Sequence, residues 1–288
     1  MINWPSEIVD NIARRRTVIY LGSGVSMNSS NAAGKRPKTW VALLNDMLTQ
    51  VPPPKAHITK LLKENDLLTA CEIIKKKLGK EAFLGYLRAE YLTPGYTPAD
   101  IHRHIFSLDS RIVISPNFDK IYDTYVNTQT HGSTKIKHQY DDDVQSAIKE
   151  NGRLIIKAHG SIDTPEKLIF TRKEYAEARS KYSGFYEILQ ALVITHNFVF
   201  IGCGVNDPDI KLLLEDTFFK HGSYKSHYFI MPSKTIHKDQ AEIIENTMNA
   251  KILSYSSADN HSELTLSLEQ LVTSVNSYRD ALRENGNW

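Results

Sequence analysis

Apolar positions change their spacing about a third of the way along the chain. Up to residue 107 they recur mainly at helical intervals, and beyond it they collect into short runs separated by helical stretches. Ile8, Val9 and Ile12 mark a first helix over residues 5–15, opened by Pro5 and Ser6, and "TVIYL" at 17–21 is a strand. Trp40, Leu43, Leu44, Met47 and Leu48 place a helix over 39–48, which "VPPP" at 51–54 ends. Residues 55–107 contain "ITKLLKEN", "LLTACEIIKKKLG", "EAFLGYLRAEYL" and "ADIHRHIFSL", four helical segments with Gly or Pro between them. After them come the strand-like runs "RIVIS", "RLIIKA", "NFVFIG", "HYFIM" and "AKILSY".

Strands alternating with helices predict an α/β protein: a Rossmann-like, mostly parallel sheet with helices on both faces and a small helical insertion. The 288 residues suit a single domain, with 1–50 and 108–288 as its core and 51–107 as the inserted module.

Composition narrows the partners more than the chemistry. Hydrophobic content of 41%, charged content of 24% and a formal charge of +2 carry no strong tendency toward nucleic acid or membrane. "MINWPSEIVDNIARRR" has no apolar run preceded by positive charge, and no stretch approaches the roughly 20 apolar residues needed to span a bilayer, so a cytoplasmic protein is expected. Cys71 and Cys203 stand far apart in no CxxC spacing, which leaves neither a zinc site nor a disulfide framework to be read from them. His102 and His104 lack a third ligand, and no metal site is expected.

In open α/β sheets ligands bind beyond the carboxyl ends of the strands, and four of those ends are unusual here. The first runs into "GSGVS", where Gly22 and Gly24 allow a tight turn and Ser23 and Ser26 are possible donors to phosphate oxygens. The dinucleotide pattern GxGxxG fails, because Met27 holds the third glycine's place and Asp46 falls inside a helix rather than at a second strand end. A nucleotide cradle and a plain tight turn both remain open on this loop alone.

"SPNFD" sets Asn117 and Asp119 on either side of Phe118, either to orient a ligand or to cap a helix. "KAHGSID" puts His159 at a strand end, beside Gly160, where an imidazole can exchange a proton near neutral pH. "FIGCGVNDPDI" supplies Gly202 and Gly204, then Asn206 and Asp207, with Pro208 suited to a first helical turn and Asp207 to its cap.

Taken in order, "GSGVS", "RPKTWVALL", "SPNFD", "KAHGSI", "IFTRKEY" and "FIGCGVNDPDI" resemble the sirtuin (Sir2) superfamily, more closely its bacterial Sir2-like branch associated with anti-phage defence. The resemblance spans residues 17–211. It implies NAD as the substrate, with Gly22, Ser23, Gly24 and Ser26 holding the diphosphate and Asp119 beside the nicotinamide carboxamide. It further implies that Asn117 positions the ribose and water, that His159 is the base on the ribose hydroxyls, and that Gly202 and Asp207 border the adenosine half. Two unpaired cysteines cannot build the four-cysteine zinc module of deacylating sirtuins, so no zinc is expected. Gly204 also stands where the family often has serine.

The activity implied is an NAD glycohydrolase releasing nicotinamide and ADP-ribose. Its alternatives are an NAD-dependent deacylase or ADP-ribosyltransferase, and a non-catalytic subunit that senses NAD or ADP-ribose. Because an unregulated NADase would kill its host, control by homo-oligomerisation or a partner is expected. By resemblance that partner is a HerA-like ATPase, or alternatively a short Argonaute.

Overall fold

The structure, a computed structural model, describes residues 1–205, 207–222 and 225–286. Helix α1 (Ser6–Ala13) leads into β1 (Thr17–Leu21) and the single turn α2 (Ser23–Ser26), followed by α3 (Trp40–Gln50), α4 (Ala56–Lys63), α5 (Leu67–Leu78), α6 (Lys80–Tyr91) and α7 (Asp100–Ser107). Next come β2 (Ile112–Ser115), α8 (Ile121–Gln129), β3 (Lys135–His138), α9 (Val144–Lys149) and β4 (Leu154–Lys157). The remainder is α10 (Arg172–Lys181), α11 (Ser183–Thr195), β5 (Asn197–Ile201), α12 (Pro208–His221), β6 (His227–Pro232), α13 (Lys238–Met248), β7 (Ala250–Tyr255) and α14 (Ala258–Glu284).

The strands form one seven-stranded sheet in the order β3-β4-β2-β1-β5-β6-β7, and every neighbouring pair is parallel. This is the Rossmann-like α/β fold expected from the alternating pattern. β1, β2, β4 and β5 are buried along their whole length. They appear as unbroken apolar runs because helices cover both of their faces.

Alternate strand residues feed two different layers. Ile19, Leu21, Val113, Ile155, Val199 and Ile201 pack with α1, α7 and α14, whereas Val18, Tyr20, Ile112, Ile114, Ile156, Phe198 and Phe200 pack with α9, α11, α12 and α13. Within the first layer, the Arg279 guanidinium of α14 donates to the carbonyls of Ile12 and Leu108 at 3.2 and 2.9 Å, closing the C-terminal ends of α1 and α7.

A third core lies above the carboxyl edge of the sheet. Leu43, Leu44 and Met47 of α3, Ile58 and Leu62 of α4, Ile74 of α5, and Phe83, Leu84 and Leu87 of α6 enclose Phe118, Ile162, Leu168 and Phe170 from the loops after β2 and β4. The helical module is thereby anchored on the very loops that carry the candidate chemistry. Phe118 and Phe170 meet at 4.8 Å between ring centroids, with Trp40 and Phe83 each 5.6 Å from Phe170.

One strand escaped the apolar pattern. β3 is an edge strand of sequence "KIKH", with Ile136 opposite Ile155 and the two lysines on the other face. Lysines on an edge discourage pairing with another chain, and here they also hide the strand signal.

Candidate active site

The chain's direction across the sheet reverses at β1, which has β2 on one side and β5 on the other. Beyond their carboxyl ends opens a cavity of about 570 Å³, lined by Gly22, Ser23 and Ser26 after β1, Asn117 and Asp119 after β2, His159 after β4, and Gly202 and Asp207 after β5. The volume lies within the range of small-molecule sites, and the position is the usual ligand crevice of open α/β sheets. All the predicted site residues but Gly24 line it, and Gly24 packs directly behind. Trp40 of α3, Leu68 and Tyr91 of the helical module, and Phe170 of the loop after β4, all outside the four strand-end motifs, supply an apolar wall.

The glycines join two loops. A Cβ on Gly22 would come 2.3 Å from the Gly202 carbonyl oxygen, and one on Gly24 would come 2.9 Å from the Gly202 Cα. Gly202 itself has φ +70° and would press a Cβ to 2.6 Å from the Val25 nitrogen, so it needs glycine on both counts. The Gly22 N–H donates to the Ile201 carbonyl (2.9 Å) and the Gly24 N–H to the Gly202 carbonyl (2.8 Å). Those two amides are committed to the seam between β1 and β5. Ser23, exposed at the mouth, is the serine of this loop whose side chain faces outward.

Ser26, Asn117 and Asp119 form a hydrogen-bonded chain whose direction is fixed by its ends. The Asn117 amide Nδ2 donates to the Gly22 carbonyl (3.0 Å) and to Ser26 Oγ (3.1 Å). Ser26 Oγ in turn donates to Asp119 Oδ2 (2.7 Å). A carbonyl and a carboxylate can only accept, so the amide nitrogen and hydroxyl proton are oriented without ambiguity. Asn117 Oδ1, which accepts no hydrogen bond among the described residues, is left for a ligand. Asp119 also accepts the Ile121 N–H through Oδ1 (3.0 Å) at the entry to α8, whose cap position is Lys120, while the asparagine lines the cavity.

Below this chain lies a buried ion pair that the sequence reading missed. Lys157 Nζ is 2.8 Å from Asp123 Oδ2 and donates to the Asp119 backbone carbonyl at 2.7 Å. Burial pushes the Asp123 carboxyl up, against the opposing pull of the Lys157 ammonium.

His159 is buried at the cavity floor with a partner on each ring nitrogen. The Tyr175 hydroxyl is 3.3 Å from Nδ1, and Asp209 Oδ2 is 3.4 Å from Nε2. Asp209 is further held by Arg179 Nη1 (3.0 Å) and the Tyr186 hydroxyl (2.9 Å). Burial favours the neutral Asp209 acid, but the His159 contact, with Tyr186 and Arg179, outweighs it and leaves the carboxyl below the usual range. Asp207, by contrast, is pushed up by burial while its Oδ1 caps α12 through the N–H groups of Asp209 (3.0 Å) and Ile210 (3.2 Å). Asn206 lies outside the described residues. Among the described residues no group of three or more His, Cys, Asp or Glu is placed to hold a metal ion, and no helix is long and apolar enough to cross a membrane.

A parallel doubly wound sheet with a cavity at its point of reversal sets the chain among Rossmann-like α/β proteins. Within that class, residues 111–253 match the model of the SIR2-like domain. The match runs from β2 to β7; β1 and the glycine loop precede it.

Among curated proteins, the chain is similar to the NAD(+) hydrolase ThsA of Enterococcus faecium, at 23% identity over 76% of this chain and 44% of the relative. It is also similar to Defense-associated sirtuin 2 of Bacillus subtilis, at 24% identity over 72% of this chain and 20% of the relative. For the ThsA of Acinetobacter baumannii, identity is 19% over 72% of this chain and 40% of the relative. The chain thus spans less than half the length of each of these relatives.

Proposed function

We propose that the chain is an NAD glycohydrolase, splitting NAD into nicotinamide and ADP-ribose in the cavity at the β1 switch point. The observation that carries this is the convergence of Asn117 from the end of β2 and His159 from the end of β4 on one cavity, beside a glycine seam that keeps side chains clear. Two relatives named NAD(+) hydrolases support it.

Nicotinamide leaves the ribose as a neutral base, so the barrier lies in building positive charge on the sugar rather than in protonating the leaving group. Asn117 Oδ1 accepts from a ribose hydroxyl or from the attacking water, its amide held by Gly22 and Ser26. His159 takes up a ribose proton as that charge grows, and each group contributes about 10²-fold or more, the range for a positioned acid-base residue. Ser23 at the mouth receives the diphosphate, with Gly22 and Gly24 keeping side chains clear behind it, while Gly202 and Asp207 border the adenosine half. Asp119 acts on the nicotinamide side through Ser26.

The same reading makes the chain an NAD-depleting effector of bacterial anti-phage defence, restrained until a homo-oligomer or a partner such as a HerA-like ATPase engages it. Chromatography of NAD incubated with the chain, alone and with acyl-peptide, is the test. Nicotinamide and ADP-ribose in equal amounts without peptide are expected. Release that needs the acyl-peptide would assign a deacylase, and binding without turnover in an assembled state would assign a sensor.

A further inference from the structure

His159 is the one imidazole lining the cavity among the described residues, and a base is defined by which of its nitrogens holds the lone pair. The surroundings decide this. Asp209 Oδ1 accepts from Arg179 and its Oδ2 from Tyr186, so the carboxylate is anchored from two other helices before it reaches His159. A carboxylate held in this way presents only lone pairs, and the nitrogen facing it must carry a hydrogen.

We infer that Asp209 is a positioning residue, which holds His159 in the tautomer protonated on Nε2 and stabilises the imidazolium that forms when Nδ1 takes a proton. This deepens the proposed role of His159 as base and rests on it. In the step concerned, the Tyr175 hydroxyl, which lines the cavity and faces Nδ1, passes its proton to Nδ1 as its oxygen takes one from the ribose, so one ribose O–H bond breaks, one N–H bond forms and Tyr175 ends as it began. The positive charge then rests on the ring, opposite Asp209, until the proton returns to solvent.

The charged and titratable groups around His159 come from three elements. Tyr175 of α10 faces Nδ1, Asp209 in the first turn of α12 faces Nε2, and Asp207 at the α12 cap lies near the ring. Arg179 of α10 and Tyr186 of α11 reach it through Asp209. Tyr175 is buried, and its hydroxyl is driven well above the usual phenol range by that burial, so it stays a neutral donor to Nδ1. Asp207, pushed toward its neutral form, cannot take over the task. Asp209 is thus the anion that faces Nε2 and fixes the ring's tautomer.

Asp209→Asn tests this in the full chain. The amide can still accept a hydrogen bond from Nε2–H but carries no charge. The expected result is a fall in kcat of about 100-fold or more with KM within about threefold, because ring orientation rather than NAD binding is lost. Nitrogen NMR of the His159 ring is expected to report the Nε2-protonated tautomer in the wild type and a loss of that preference in Asp209→Asn, with Asp209→Glu recovering part of both the tautomer and kcat. If activity falls while the His159 tautomer stays as it is in the wild type, Asp209 is only a packing group and the inference fails. A wild type that never cleaves NAD overturns the proposed function, yet the tautomer still decides whether Asp209 governs His159.

Discussion

Lys157→Met is the sharpest probe of how the site is held. The side chain is 1% exposed, with its ammonium 2.8 Å from Asp123 and 2.7 Å from the Asp119 carbonyl. At an effective dielectric constant of 20, two unit charges at that separation attract by about 6 kcal/mol, a gain that the loss of hydration of both ions largely offsets. Methionine matches the length of lysine but leaves Asp123 buried beside nothing positive, and stranding one member of such a pair costs about 3–5 kcal/mol. For a chain of this size that lowers the thermal midpoint by roughly 10 °C.

The pH dependence has a definite sign. Burial already holds the Asp123 carboxyl above its usual range, and losing Lys157 raises it further. Between the unfolded value near about 4 and the raised folded value, the native variant binds a proton that the unfolded chain does not, so stability falls as pH rises through that window. Urea unfolding followed by tryptophan fluorescence is expected to show a smaller deficit at pH 5 than at pH 8. Asp123→Leu in the Lys157→Met background is expected to restore most of the loss. A deficit below about 1 kcal/mol at pH 8, or one equal at both pH values, would refute the reasoning.

Other outcomes follow from the same structure. Gly22→Ala drives a Cβ to 2.3 Å from the Gly202 carbonyl oxygen, so a loss of about 1–3 kcal/mol in thermal unfolding is expected, together with loss of NAD cleavage as the seam opens. His102 and His227 are each pushed down to about 4 by burial, so the unfolded chain takes up protons there that the native chain refuses. Stability measured by denaturant is expected to fall as pH drops from about 6.5 toward 4, by up to about 3 kcal/mol per histidine, and His102→Asn to flatten that slope. The Cys203 thiol is pushed up by burial at the cavity wall, so alkylation at pH 8 is expected to be slow in the native chain and fast in urea, as mass spectrometry would show.

The fold was largely legible because buried parallel strands leave continuous apolar runs, and "TVIYL", "RIVIS", "RLIIKA" and "NFVFIG" are such runs. "KIKH" was not, since an edge strand needs only Ile136 on its covered face. The strand-end motifs could be placed on one crevice from topology alone, but the partners inside it could not. Nothing in "GSGVS" tells that Gly22 and Gly24 are spaced for a neighbouring loop 180 residues on, rather than for a phosphate alone. Asp209 passes as an ordinary acid in a first helical turn, and only folding brings Arg179, Tyr186 and His159 around it. The one available signal was its place two residues beyond Asp207 in "GCGVNDPD".

The central claim, that Asn117 and His159 cut NAD in this cavity, meets its most direct test in the rate of nicotinamide release by the wild type, Asn117→Ala and His159→Ala at equal concentration, with each variant's fold checked by its thermal midpoint. Folded variants slower than the wild type by about 10²-fold or more are expected. Variants that cleave NAD as fast as an active wild type would contradict the account.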